Sequence, residues 1–152
     1  MRERRDIGAA EVEMSLMIAV TLPARIDSLP RGLALVAECA TAAGFPPQRV
    51  MKIELAVEEA LANICLYAYP NGSGEVEVRC TQDERRHFSI ELIDAGIPFD
   101  MLARPAPDFT VDAAQRQIGG LGIPLIRALM DNATYHREGA RNILRLTALL
   151  PR

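Results

Sequence analysis

Residues 57–69 read VEEALANICLYAY and lie inside a longer stretch whose apolar residues recur at helical spacing. At about 100° per residue, Ile53, Val57, Ala60, Ile64 and Ala68 gather on one side, and Leu55, Ala62 and Leu66 form a second apolar flank. Glu54 and Glu58 occupy the remaining arc and are expected to face solvent. Glu59 and Asn63, at i and i+4, form a polar strip between the two flanks. Such a strip is badly placed for bulk water and well placed to line a pocket between a helix and a sheet. A carboxylate there can act as general base toward a hydroxyl or a water. A neutral amide oxygen can ligate Mg²⁺, which keeps several waters or substrate phosphates around it. Taken alone, the pair also reads as a structural polar strip satisfied by backbone or solvent.

The chain around this helix has 152 residues, enough for one domain with one core. With 49% hydrophobic and 24% charged residues it has the composition of a soluble globular protein. A net charge of −3 and scattered arginines provide no basic face of the kind nucleic acid requires. No apolar run approaches the ~18 residues of a membrane span, and residues 1–15 lack the apolar stretch of a secretory signal. The cysteines, Cys39, Cys65 and Cys80, are odd in number and have no CxxC spacing, so they read as small core residues. His87 and His136 are the only histidines, which argues against a histidine metal site. Together these features lead us to expect a cytoplasmic location with no membrane and no direct nucleic-acid partner.

Working outward from the helix, a polar tail at 1–15 precedes a strand at 16–24. A first helix follows, with a cap-like Asp27/Ser28, Pro30 in its first turn and Gly44 at its end. After a short PPQ break, the long helix runs over 49–69 and stops at PNGSG, a dense turn cluster. The period then becomes two. Val76, Val78 and Cys80 alternate with Glu77, Arg79 and Thr81, then Phe88, Ile90, Leu92 and Asp94 with Ser89 and Glu91, which predicts an antiparallel hairpin. Residues 101–118 have no clear period and contain Pro105 and Pro107; a loop of that length is usually functional. A glycine-led helix and a second hairpin turning at Glu138–Gly139 complete the chain. The order β-α-α-β-β-loop-α-β-β predicts an α/β (α+β) sandwich, a mostly antiparallel sheet with helices on one face.

Two further motifs sit on suitable elements. Asp94 is in phase with Phe88, Ile90 and Leu92, so its carboxylate projects from a strand end toward the helix-covered side, where it needs hydrogen-bond donors. A ligand's exocyclic amine is one such donor, and Gly96 would let a flat ring approach the backbone closely. A strand-ending Asp-x-Gly turn is the plainer reading. Gly119, Gly120, Leu121 and Gly122 precede a helix and leave backbone N–H groups open at its N-terminus, where phosphates bind. It is not a Walker A loop, since no Gly-Lys-Ser/Thr follows and the single lysine is Lys52.

The ordered set resembles the ATP-binding domain shared by gyrase, heat-shock chaperones, histidine kinases and mismatch-repair ATPases, over nearly all of residues 16–150. Within that superfamily the chain looks like the stand-alone anti-sigma-factor serine/threonine kinases of bacteria: VEEALANICLYAY is similar to their asparagine box, DAGIPFD to their first glycine box and GGLGIPLIRALMD to their second. The resemblance implies a Bergerat-type fold over residues 16–152 that binds ATP with Mg²⁺ under a lid at about 101–118. It implies Glu59 as general base, Asn63 on the metal, Asp94 on the adenine amine with Gly96 beside it, and Gly120, Leu121 and Gly122 in the phosphate turn. Tyr67 departs from the family, which often has histidine four residues after the asparagine; Pro98 replaces the wider superfamily's second glycine.

The resemblance further implies a kinase that phosphorylates a STAS-domain anti-anti-sigma protein, holds a sigma factor when that partner is phosphorylated, and forms a homodimer. The alternative is a regulatory module that binds ATP without efficient phosphoryl transfer, against which Glu59 argues. The polar start and the finish at Leu149-Leu150-Pro151-Arg152 favour a complete small protein over a piece of a larger one.

Overall fold

The computed structural model describes residues 14–103 and 122–151. Five strands and three helices follow in the expected order: β1 (Met14–Pro23), α1 (Leu29–Ala43), α2 (Pro47–Tyr67), β2 (Glu75–Asp83), β3 (His87–Asp94), α3 (Gly122–Leu129), β4 (Asn132–Glu138) and β5 (Arg141–Leu149). Short 3-10 turns at Ile26–Ser28 and Met101–Ala103 add to these. The strands form one sheet in the order β1-β2-β3-β5-β4, with every neighbouring pair antiparallel.

Local chemistry accounts for the helix limits. Ser28 stands at the N-cap of α1 with no side-chain cap bond, and a proline fills the first turn, where its missing N–H is no loss. Gly44 ends α1 with φ 108°, and its N–H is taken by the carbonyls of Ala40 and Thr41. The two prolines of the break divide their work: Pro46 is extended and Pro47 opens α2, which therefore begins two residues earlier than the periodicity predicts.

The core lies between the sheet and the helices. Val76, Val78 and Cys80 of β2, Phe88, Ile90 and Leu92 of β3, and Leu144, Leu146 and Ala148 of β5 are all buried, the period-two face a half-covered sheet requires. Against them α1 buries Val36, Cys39 and Ala40, and α2 buries Ile53, Val57, Ala60 and Ile64. The second predicted flank of α2 is different. Ala56 and Leu61 extend the buried arc instead, while Leu55 and Leu66 are 40% and 43% exposed. On the wheel, Leu55 and Leu66 lie opposite the centre of the buried arc and stay exposed, while the small Ala62 between them is partly buried against the core. The polar strip of Glu59 and Asn63 therefore runs along the boundary between the core and an apolar outer face.

Candidate functional site

Asn63 is 1% exposed. Its Nδ2 donates to the Glu59 carbonyl one turn back, at 2.9 Å. Because a carbonyl can only accept, the amide orientation follows, and Oδ1 points away from the helix backbone. That oxygen is buried and has no hydrogen-bond partner among the described residues. Leaving a buried acceptor unpaired costs about 1–3 kcal/mol. Glu59, one turn earlier on the same edge, is half-buried.

Asp94, the last residue of β3, is also buried. Its Oδ1 accepts from the Gly96 N–H and from Asn142 Nδ2, both at 2.9 Å. The other carboxylate oxygen receives no hydrogen bond among the described residues. The chain after Asp94 then folds onto the end of α2: the Ile97 N–H donates to the Ala68 carbonyl at 2.9 Å. A Cβ on Gly96 would stand 2.2 Å from that same carbonyl oxygen. The close approach that demands glycine here is therefore with the α2 backbone. Ala68 lies five residues beyond Asn63, roughly 7.5 Å along a helix axis, so this contact ties the element bearing Asn63 to the strand bearing Asp94.

Residues absent from the expected site complete it. Asn142, the register partner of Asp94 across β3 and β5, is 4% exposed and uses both ends of its amide. Nδ2 donates to Asp94 Oδ1 and to the Ile97 carbonyl (2.8 Å). Oδ1 accepts from Tyr135 Oη (2.5 Å), Arg137 Nη1 (3.0 Å) and the Phe99 N–H (3.4 Å). Arg137 Nη1 also donates to the Gly96 carbonyl at 3.1 Å. Tyr69 braces the loop from the other side: its hydroxyl accepts from the Ala95 N–H and donates to the Glu75 carbonyl. A shallow depression of about 330 Å³ lies behind this loop, between residues 68–72 and 95–98 and beside Arg137. The sequence carried one signal for Asn142: it is a polar residue in phase with Leu144, Leu146 and Ala148.

Glu59 and Asn63 thus share one edge of α2, and Asp94 and Gly96 are joined to its end. Gly120 and Leu121 lie outside the described residues. Gly122 is the first residue of α3. The opposite end of α3 is anchored by Arg49, which donates to the Leu129 carbonyl and pairs with Asp131 at 3.3 Å. Near Asp94, the Tyr67 ring tilts against Phe99 with centroids 6.2 Å apart.

The donor set fits a hard cation. Asn63 Oδ1 is an unpaired neutral oxygen, and no three His, Cys, Asp or Glu residues cluster among the described residues. A cation held there would draw its remaining ligands from phosphate oxygens and water, the arrangement Mg²⁺ prefers. The thiols offer no nucleophile. Burial pushes Cys65 up to about 11, with Asp27 adding to the effect, and burial raises the fully enclosed Cys39 and Cys80 as well.

Among the described residues no helix is long and apolar enough to cross a membrane. The profile of the histidine kinase-like ATPase domain matches residues 22–148. The chain is 30% identical over 133 residues to serine-protein kinase RsbW of Listeria monocytogenes, covering 84% of each chain. It is 25% identical over 91 residues to the anti-sigma F factor of Clostridium acetobutylicum, covering 60% of this chain and 63% of that one. The solved RsbU and RsbW domains of a Mycobacterium tuberculosis protein superpose with a TM-score of 0.64 at 18% identity, over 91% of this chain and 33% of that chain. Its antiparallel sheet covered by helices on one face is the Bergerat arrangement, and this chain belongs to the histidine kinase-like ATPase domain family as a relative of the RsbW-type anti-sigma-factor kinases.

Proposed function

We propose that the protein is an ATP-dependent serine/threonine kinase that acts as an anti-sigma factor: it phosphorylates a STAS-domain anti-anti-sigma partner and, when that partner is phosphorylated, sequesters a sigma factor, working as a homodimer. Kinship with kinases of that kind supports the class of activity. The observation that carries the reading is Asn63 Oδ1, a buried acceptor without a partner among the described residues, one helical turn from a carboxylate.

Mg²⁺ bound at Asn63 would neutralise phosphate charge as it develops in transfer. Asp94, whose second oxygen takes no hydrogen bond among the described residues, would accept the adenine amine. Gly120, Leu121 and Gly122, which in the sequence run into α3, would supply N–H groups to the phosphates. Glu59 takes the proton of the incoming serine hydroxyl as the new O–P bond forms and the bond from the γ-phosphorus to the β-phosphate oxygen breaks, which leaves ADP.

The test is transfer of labelled γ-phosphate from ATP to a purified cognate STAS-domain protein, with the modified residue located by mass spectrometry. We expect one phosphoserine or phosphothreonine, lost in Glu59→Gln while Mg-ATP binding persists. Mg-ATP binding with no transfer to any cognate STAS protein would refute the kinase assignment.

A further inference from the structure

The geometry points to Asn142 as the residue that makes Asp94 selective for an exocyclic amine, with Tyr135 and Arg137 locking the Asn142 amide in the orientation this requires. The inference rests on the reading of Asp94 as the nucleobase contact and adds to it the residues that give that contact its sign.

An asparagine amide presents a donor end and an acceptor end that are nearly the same shape, so which end faces a neighbour depends on the groups around it. At Asn142 three donors converge on one end: the Tyr135 hydroxyl, the Arg137 guanidinium and the Phe99 N–H. Arg137 can only donate, so the atom it meets must be Oδ1. Nδ2 therefore faces Asp94 and the Ile97 carbonyl, both acceptors. Reversing the amide would set Oδ1 against a carboxylate and a carbonyl, with Nδ2 against a guanidinium and the Phe99 N–H, and of the five contacts only that to the Tyr135 hydroxyl, which can also accept, would survive.

The consequence reaches Asp94. Its Oδ1 receives two donors, Asn142 Nδ2 and the Gly96 N–H, so that oxygen is already committed as an acceptor. A carboxylate oxygen is an acceptor. The remaining oxygen, which takes no hydrogen bond among the described residues, thus welcomes a nucleobase N–H and rejects a carbonyl at the same place. A 6-amino purine satisfies it and a 6-keto purine does not. The selectivity originates in the β4–β5 hairpin, Asn142 on the strand next to Asp94 and Tyr135 and Arg137 one strand further, where none of the three residues needs to touch the base.

Calorimetric titration with three nucleotides in Mg²⁺ tests this: ATP, GTP, and purine riboside 5′-triphosphate, which lacks the 6-amino group. Wild type is expected to prefer ATP to both others by tenfold or more. Asn142→Leu, which keeps the volume and removes the amide, should weaken ATP by about tenfold, the order of one charge-assisted hydrogen bond. It should leave purine riboside triphosphate within twofold of wild type. Tyr135→Phe and Arg137→Met leave the amide in place but unlock it, and should shift the ATP-to-analogue ratio the same way by about threefold. These two variants decide the matter if Asn142→Leu does not fold. Equal loss for ATP and the analogue in the variants would reduce Asn142 to a structural role and overturn the inference, as would no loss for either. A wild type that binds all three alike would refute the base contact at Asp94 itself, a failure of the underlying reading that is distinct from the others.

Discussion

Two asparagines lie in the core of this protein, both essentially shut off from solvent, and they are treated in opposite ways. Asn142 on β5 has five hydrogen bonds that engage both ends of its amide. Asn63 on α2 has one, to its own helix, and its buried oxygen is left without a partner among the described residues. Buried polar groups are nearly always satisfied, and among the described residues the only other buried side-chain atom without a partner is Arg79 Nε, so an unpaired acceptor on the core edge of α2 calls for a reason. The contrast separates scaffold from site: where every polar atom is used the fold is complete, and where one is withheld the fold leaves room for something else. Asp94 stands between the two cases, with one oxygen committed to Gly96 and Asn142 and the other unbonded among the described residues.

The difference predicts opposite outcomes for similar changes. Replacing Asn63 with leucine removes an unpaired buried acceptor, so folding stability, measured by urea denaturation, should stay level or rise by up to about 1 kcal/mol. Mg-ATP affinity should fall between a hundred- and a thousandfold, about 3.4 kcal/mol. Asn142→Ala should do the reverse on stability. It strands the Ile97 carbonyl and the Tyr135 hydroxyl and takes a donor from Asp94, and it should lower stability by about 2.5 kcal/mol. If both variants lost stability equally, the distinction between scaffold and site would collapse.

How far the sequence could see is itself uneven between these two residues. Asn63 was legible because helical periodicity is local: neighbours within two turns define the face, and a polar residue there stands out. The same wheel could not tell that Leu55 and Leu66 would stay exposed, since periodicity finds apolar faces without knowing which one a sheet will cover. β3 could be placed to the residue from its alternation, and Asp94 with it. Asn142 was visible only as a polar residue in phase with leucines. Its importance depends on the register that sets it opposite Asp94, 48 positions earlier in the chain, and on Arg137 arriving from the edge strand. Such pairings are properties of the assembled sheet. Likewise Gly96 was read as room for a ligand, because the Ala68 carbonyl that fills the space is brought there only by the packing of α2.

That packing yields the next prediction. Gly96→Ala would place a methyl 2.2 Å from a backbone oxygen that cannot swing aside as a side chain could. The loop must lift from α2, breaking the Ile97–Ala68 hydrogen bond and pulling Asp94 away from its partners. Thermal or urea unfolding should show a loss of about 2 kcal/mol, and nucleotide affinity should fall with it. Wild-type stability with weakened binding would mean that the glycine serves the ligand directly, as the bare sequence suggested, and that the joint between scaffold and site lies elsewhere.

The smallest effect is expected at the opposite end of β3, where the turn from β2 is stitched by Asp83. Burial alone would raise the Asp83 carboxyl. The His87 N–H and ring, and then the Arg85 N–H, outweigh burial and hold it below the ordinary carboxylate range. A carboxyl held low in the folded state adds stability that is fully present above its unfolded value, near 3.9, and is lost as pH falls through the lower folded value. Asp83→Asn should therefore cost less than about 1 kcal/mol at neutral pH, and the gap between variant and wild type should close as the solution is acidified below about pH 4. Nucleotide affinity should not change, because none of these groups reaches Asp94 or Asn63. A gap that widened on acidification would reverse the sign of the linkage. A change in ATP affinity would show that the far end of the strand is coupled to the site, and that the division drawn between the two asparagines is less local than their hydrogen bonds imply.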